Sequence, residues 1–181
     1  MKRYALLAAT AAVTMIAAPA LAALPVGAAA PDFSTQGAMA GKPFQFSLRQ
    51  ALKKGPVVLY FFPAAFTPGC TIESKAFADA SDDFAKAGAQ IVGVSADPID
   101  KLQKFSVEAC RSKFPVAVAS PQMIADYNVT LPQLAGRSNR TSFVIGKNAR
   151  IAYVHSEMKP DGHITGTLGA VRALAAKTRV K

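Results

Sequence analysis

The run Pro56-Val57-Val58-Leu59-Tyr60-Phe61-Phe62 is apolar at every position and rich in β-branched and aromatic residues. A segment of that length and composition fits a strand buried on both faces, so the chain must cover it from two sides. Two prolines and a glycine follow within Pro63-Ala64-Ala65-Phe66-Thr67-Pro68-Gly69, which marks a tight loop. Glu73 to Lys86 is rich in helix formers, with Ile72, Phe77, Ala80 and Phe84 at roughly helical spacing. Cys70 thus falls where the loop opens into a helix.

A helix N-terminus leaves backbone N–H groups unpaired and carries a partial positive charge, so it favours an anion. A cysteine placed there is drawn toward the thiolate, which is the nucleophile. Gly69 lets the backbone approach a ligand closely, whereas Pro68 has no N–H to donate. Thr67, three residues before the cysteine, offers a hydroxyl to the sulfur or to a bound oxygen. The competing reading is a buried, inert structural cysteine.

The remaining segments read as alternating strands and helices. Asp32–Thr35 and Phe44–Leu48 alternate around Gly37 and Gly41, as a peripheral hairpin does. Ala89–Ser95 is a second apolar strand ending at the turn Asp97-Pro98. Residues Pro98 to Lys113 predict a helix with Ile99, Leu102, Phe105 and Ala109 as its apolar stripe. Phe114–Ala119 contains a proline and reads as an edge strand. A short helix is expected over Pro121–Tyr127 and a hairpin from Thr141–Ile145 and Arg150–His155 around Gly146-Lys147-Asn148. Ile164–Lys177 closes the chain as a helix. Such alternation implies an α/β fold with a central mixed sheet.

Pro63-x-x-x-Thr67-x-x-Cys70 resembles the active-site signature of peroxiredoxins, and Thr67-Pro68-Gly69-Cys70-Thr71-x-Glu73 resembles that of the peroxiredoxin Q, or bacterioferritin comigratory protein, group. Val26–Phe33 resembles the family's opening segment, Arg140–Ile145 the strand with its catalytic arginine, and Asp161-Gly162-His163 the start of its last helix. The resemblance implies a thioredoxin-like fold with an added N-terminal β-hairpin, and no cofactor or metal. It implies a thiol peroxidase acting on hydrogen peroxide and organic hydroperoxides. A thioredoxin-like protein would be the reductant, and the enzyme a monomer or weak dimer.

By the same resemblance Cys70 is the attacking sulfur, and it becomes a sulfenic acid. Negative charge on the leaving oxygen meets the Thr67 hydroxyl, the Cys70 N–H and the Arg140 guanidinium, which stays charged at any working pH. Glu73 is the carboxylate expected to orient Arg140 bidentately, and Pro63 shields the sulfur. Many members carry a resolving cysteine five residues after the first; Lys75 stands there in this chain. Others place it on the helix that here spans Pro98 to Lys113, nearer Ser106. Cys110 is one turn further, on about the same face. A Cys70–Cys110 disulfide would then resolve the sulfenic acid, provided the first turn of the Cys70 helix unwinds to bring the Cα atoms within about 7 Å. The alternatives are an inert Cys110 or a static structural bridge.

Two other functions compete. A thiol–disulfide oxidoreductase normally uses Cys-x-x-Cys, and the fourth position here is Glu73. A redox-inert binding domain with a permanent bridge would leave Pro63, Thr67 and Arg140 without purpose. His155 and His163 are too few for a metal site and read as structural.

Lys2 and Arg3, the uncharged apolar stretch Tyr4–Ala18 and the small residues Ala20-Leu21-Ala22 match a secretory leader. Cleavage is expected after Ala22, or later among Ala28–Ala30, leaving residues 23–181 as one domain in the periplasm. The competing reading, a retained anchor, needs a span of about 20 apolar residues. The leader holds two of the 21 basic residues and none of the 11 acidic ones, so the mature chain carries a net charge of +8. Those charges are scattered along the sequence, and nucleic-acid binding is not expected.

Overall fold

In a computed structural model, which describes residues 23–179, the chain forms a seven-stranded mixed sheet with helices on both faces. The strands are β1 (Ser34–Met39), β2 (Lys42–Ser47), β3 (Val57–Phe61), β4 (Gln90–Ser95), β5 (Val116–Val118), β6 (Thr141–Ile145) and β7 (Ile151–Ser156). The helices are α1 (Leu48–Lys54), α2 (Pro68–Asp79), α3 (Ser81–Lys86), α4 (Ile99–Glu108), α5 (Pro121–Asp126) and α6 (His163–Arg179). The leader through Ala22 lies outside the described residues, whereas Ala28–Ala30 lie within them.

The sheet order is β2-β1-β5-β4-β3-β6-β7. β3 runs parallel to β4 and antiparallel to β6, and every one of its five residues is buried. Its side chains split between two cores. Leu59 and Phe61 join Tyr127, Phe143 and the residues of α1 and α5 on one face. Val58 and Tyr60 join Phe77, Phe84, Phe105 and Cys70 on the other, beneath α2, α3, α4 and α6. Tyr60 stacks on Phe77 with ring centroids 4.5 Å apart, fixing α2 over the end of β3. Gly93 on the adjacent strand is required for this, because a Cβ there would lie 2.5 Å from the Tyr60 ring.

Several local expectations need correction. Phe114–Ala119 is not an edge: β5 lies between β4 and β1, and Pro115 precedes the strand, where its missing N–H costs no ladder bond. The hairpin turns at Ala40-Gly41, both at positive φ, while Gly37 lies inside β1. α1 was not anticipated at all; Ser47 caps it by accepting from the Gln50 N–H. The helix after the loop is two helices that meet at Ala80. α4 stops at Glu108 because Arg111 and Ser112 both take positive φ, so Cys110 sits in the turn beyond the helix and not on it.

Candidate active site

α2 opens earlier than its apolar spacing indicates, with Pro68 in its first turn and Cys70 as its third residue. Proline suits that place, since its ring presets the backbone and its absent N–H would find no partner there. Thr67 is the N-cap residue, but its side chain makes no cap bond. Its hydroxyl instead donates to the Ala64 carbonyl at 2.9 Å. The proton is thereby committed, and the oxygen's lone pairs are what Thr67 offers outward. The first-turn N–H groups of Gly69 and Cys70 have no intrahelical acceptor by helix geometry. Cys70 itself is 1% exposed, at the floor of this turn.

Arg140 enters from the residue before β6. Its Nη2 lies 3.5 Å from Cys70 Sγ, and its Nε donates to the Met158 carbonyl at 2.9 Å. Gly69 makes room for it, since a Cβ there would stand 3.0 Å from Nη2. Burial works against the guanidinium charge, yet Glu73 and Cys70 beside it overcome that and push its pKa up. Arg140 is a permanent cation in contact with the sulfur.

Glu73 is fully buried and pairs with Arg140 through one contact, Oε2 to Nη1. The bidentate grip expected of it is not made: Oε1 has no hydrogen-bond partner. Burial raises the Glu73 carboxyl from 4.5 to about 7, against the pull of Arg140. Pro63 is half-buried, and its carbonyl accepts from Arg137 Nη1 at 3.3 Å.

Cys110 is fully buried in the same core cluster as Cys70, with the Tyr60 and Ser74 hydroxyls facing its sulfur. Burial pushes its thiol pKa far up. Ser74 is one turn after Cys70 on α2, so the second thiol lies beneath the turn following the first. Both cysteines are free. Ser106, also buried, accepts from the Gly41 N–H in the hairpin, whereas the Cys110 sulfur is faced by Tyr60 and Ser74.

Two further residues pack against the site. Asp97, 1% exposed, accepts from the Ala65 N–H and Ser95 hydroxyl at 2.7 Å each, from Lys101 at 2.9 Å and from Arg137 at 3.0 Å. Burial alone would raise its carboxyl, but these four donors hold it below the usual value. Asp97 and Arg137 between them pin Ala65 and Pro63, the start of the reactive loop. The available signal was an acidic residue two positions after the end of a buried strand. His163 is the other; its Nδ1 faces Glu73 Oε1 at 3.5 Å. Among the described residues, no group of three or more His, Cys, Asp or Glu is placed to hold a metal.

The AhpC/TSA family model matches residues 26–154, a span that holds Cys70 and Arg140 together. The chain belongs to the AhpC/TSA family. A Mycobacterium tuberculosis relative named as a peroxiredoxin is 37% identical over 127 residues, covering 68% of this chain and 82% of that protein. Chloroplastic peroxiredoxin Q of Arabidopsis thaliana is 35% identical over 151 residues, covering 81% and 67%. The crystal structure of peroxidoxin BcpB from Mycobacterium tuberculosis superposes with a TM-score of 0.71 at 36% identity, over 82% of this chain and 97% of that one. The fold is thus the thioredoxin-like fold of peroxiredoxins, and the chain is a thiol-dependent peroxidase.

Proposed function

We propose that Cys70 is the peroxidatic sulfur, that Arg140, Thr67 and the Cys70 N–H receive the peroxide, and that Cys110 resolves the product. The observation that carries this reading is the Arg140 Nη2 to Cys70 Sγ contact of 3.5 Å at an uncapped helix N-terminus. A thiolate there faces a fixed cation, and a second anion forming beside it meets the same field. The thiolate attacks one peroxide oxygen, the O–O bond breaks, and the departing alkoxide or hydroxide takes up a proton. Sulfur is left as a sulfenic acid. Thr67, with its own proton committed to Ala64, accepts the hydrogen of the bound hydroperoxide and so orients it. Pro63 shapes the loop in front of the sulfur.

Cys110 then attacks the sulfenic sulfur, water leaves, and a Cys70–Cys110 disulfide remains. Its place beneath the second turn of α2 supports this, because unwinding only the first turn brings Cys70 down toward it. A dithiol reductant of the thioredoxin type returns both thiols and is itself oxidised. The leader sequence supports a periplasmic setting for the cycle.

The test is the intact mass of reduced protein after one equivalent of hydrogen peroxide, for the chain and for Cys110→Ser. The expected pattern is loss of two hydrogens in the first and gain of one oxygen, trapped by a sulfenic-acid reagent, in the second. A one-oxygen adduct on the unmodified chain would remove Cys110 from the cycle. No reaction in either would remove Cys70.

A further inference from the structure

A buried carboxylate oxygen without a partner is costly to keep, and Glu73 Oε1 is such an atom. What it faces is His163 Nδ1, 3.5 Å away on a fully buried ring at the start of α6. The other side of that ring fixes its tautomer. Nε2 lies 2.9 Å from the Glu157 carbonyl, which only accepts, so Nε2 carries the hydrogen. In the neutral ring Nδ1 is then bare, and the Ser142 hydroxyl at 2.8 Å donates to it. Oε1 is thus an unpartnered oxygen that faces a nitrogen whose donor is the Ser142 hydroxyl. A proton on Oε1 finds in Nδ1 the base that faces it, and takes the place of the Ser142 hydrogen there.

We propose that Glu73 and His163 share a titrating proton, Oε1–H donating to Nδ1, and that His163 is thereby a positioning residue for Arg140 at Cys70, an inference that rests on the roles assigned to those two residues above. The proton resides on the carboxyl, because burial raises Glu73 to about 7 and lowers His163 to about 4. The Ser142 hydroxyl rotates away to admit it. With the proton in place Glu73 is a neutral acid and the Arg140 charge is left to the sulfur. Without it the carboxylate competes for the same guanidinium.

The other titratable groups around the pair are few. Glu73 is faced by Arg140 from the β6 entry and by Tyr60 from β3, and the Arg140 charge also acts on His163. Burial drives the Tyr60 hydroxyl well above its ordinary range, so it stays neutral. His163 is also faced by His155 of β7, with ring centroids 4.5 Å apart and edge to face.

The experiment follows the Glu73 side-chain carboxyl by carbon-13 NMR from pH 4 to 9, assigned with Glu73→Gln, alongside the peroxide rate constant. His163→Asn keeps a polar group near the position of Nδ1, His163→Gln keeps one near Nε2, and His163→Leu keeps neither. Loss of the acceptor should lower the Glu73 midpoint by about one pH unit in the Leu and Gln variants and leave the Asn variant close to the unmodified protein. The peroxide rate should fall about tenfold in Leu and Gln, recover to within about threefold in Asn, and fall no further when Leu is added to Glu73→Gln. A Glu73 midpoint unmoved by His163→Leu overturns the proposal, as does a Gln variant as active as the Asn variant. Should the Leu variant fail to fold, the nitrogen-15 shift of His163 Nδ1 decides. It should show a step at the Glu73 midpoint that disappears in Glu73→Gln, and persistence of that step overturns the shared proton. The carboxyl titration needs no peroxide, so it stands or falls separately from the assignment of Cys70.

Discussion

Replacing Glu73 by Gln should change how stability depends on pH more than it changes stability at any one pH. In the folded chain Glu73 holds its proton to about 7 against an ordinary 4.5, because it is buried. Between those values the native state keeps a proton that the unfolded state has released, so rising pH disfavours folding. The window is worth about 3 kcal/mol. His163 acts in the opposite sense. Held to about 4 against an ordinary 6.5, it lacks in the native state a proton that the unfolded state has taken, so rising pH favours folding by a similar amount. The two slopes cancel between about pH 4.5 and 6.5, and the contribution of the pair is nearly flat there. Glu73→Gln removes one slope only. The variant should gain about 3 kcal/mol relative to the unmodified chain from pH 4.5 to 7, or about 10 °C in Tm. Urea unfolding at half-unit pH steps measures it directly. The loss of Arg140's partner shifts the whole curve and leaves the slope alone. Parallel curves for the two proteins would refute the raised carboxyl and the reasoning built on it.

Asp97→Ala should destabilise the chain by about 3 kcal/mol, since it strands Arg137 and the Ala65 N–H together, and should slow peroxide consumption by loosening the loop; denaturant unfolding and peroxide kinetics check both. Because the folded Asp97 carboxyl lies below its ordinary value, its contribution is present above pH 4 and lost as pH falls below it, so the unmodified chain and Asp97→Ala should converge in stability under acid. Arg140→Lys should cost about a hundredfold in the peroxide rate constant while the far-ultraviolet circular dichroism stays unchanged, because a point charge cannot reach the sulfur, Glu73 and the Met158 carbonyl at once. Gly93→Ala should cost about 1–3 kcal/mol in denaturant unfolding by driving a methyl into the Tyr60 ring.

The parts of the molecule written in contiguous residues were legible. Pro56–Phe62 declares a doubly covered strand, and Thr67-Pro68-Gly69-Cys70 declares a loop entering a helix. Strand order was not legible, because β5 becomes interior only through pairing with Gly37 and Ala38, far away in the chain. α1 escaped because seven residues are too few for periodicity to stand out, although Ser47-x-x-Gln50 carried its capping signal. At the site, the residue types around Cys70 were readable but their contacts were not. Glu73 meets Arg140 from before β6 with one oxygen and His163 from α6 with the other, and local sequence holds no record of where either comes in. Asp97 went unread for a related reason: its four donors come from four separated positions.

The Ala65 N–H bond to Asp97 gives the reactive segment a fixed end. Immediately after it comes Phe66, at φ 68, a backbone conformation that a bulky aromatic residue adopts at a cost of about 1–3 kcal/mol and that here is braced by edge-on packing against Phe105. Behind the anchor the chain is a buried strand; ahead of it lies a strained residue and a helical turn with no side-chain cap. Any excursion of Cys70 is therefore a swing about one hinge rather than a general loosening. It is spring-loaded at Phe66 and swept by the six residues to Thr71, and β3 and the sheet behind it have no need to move.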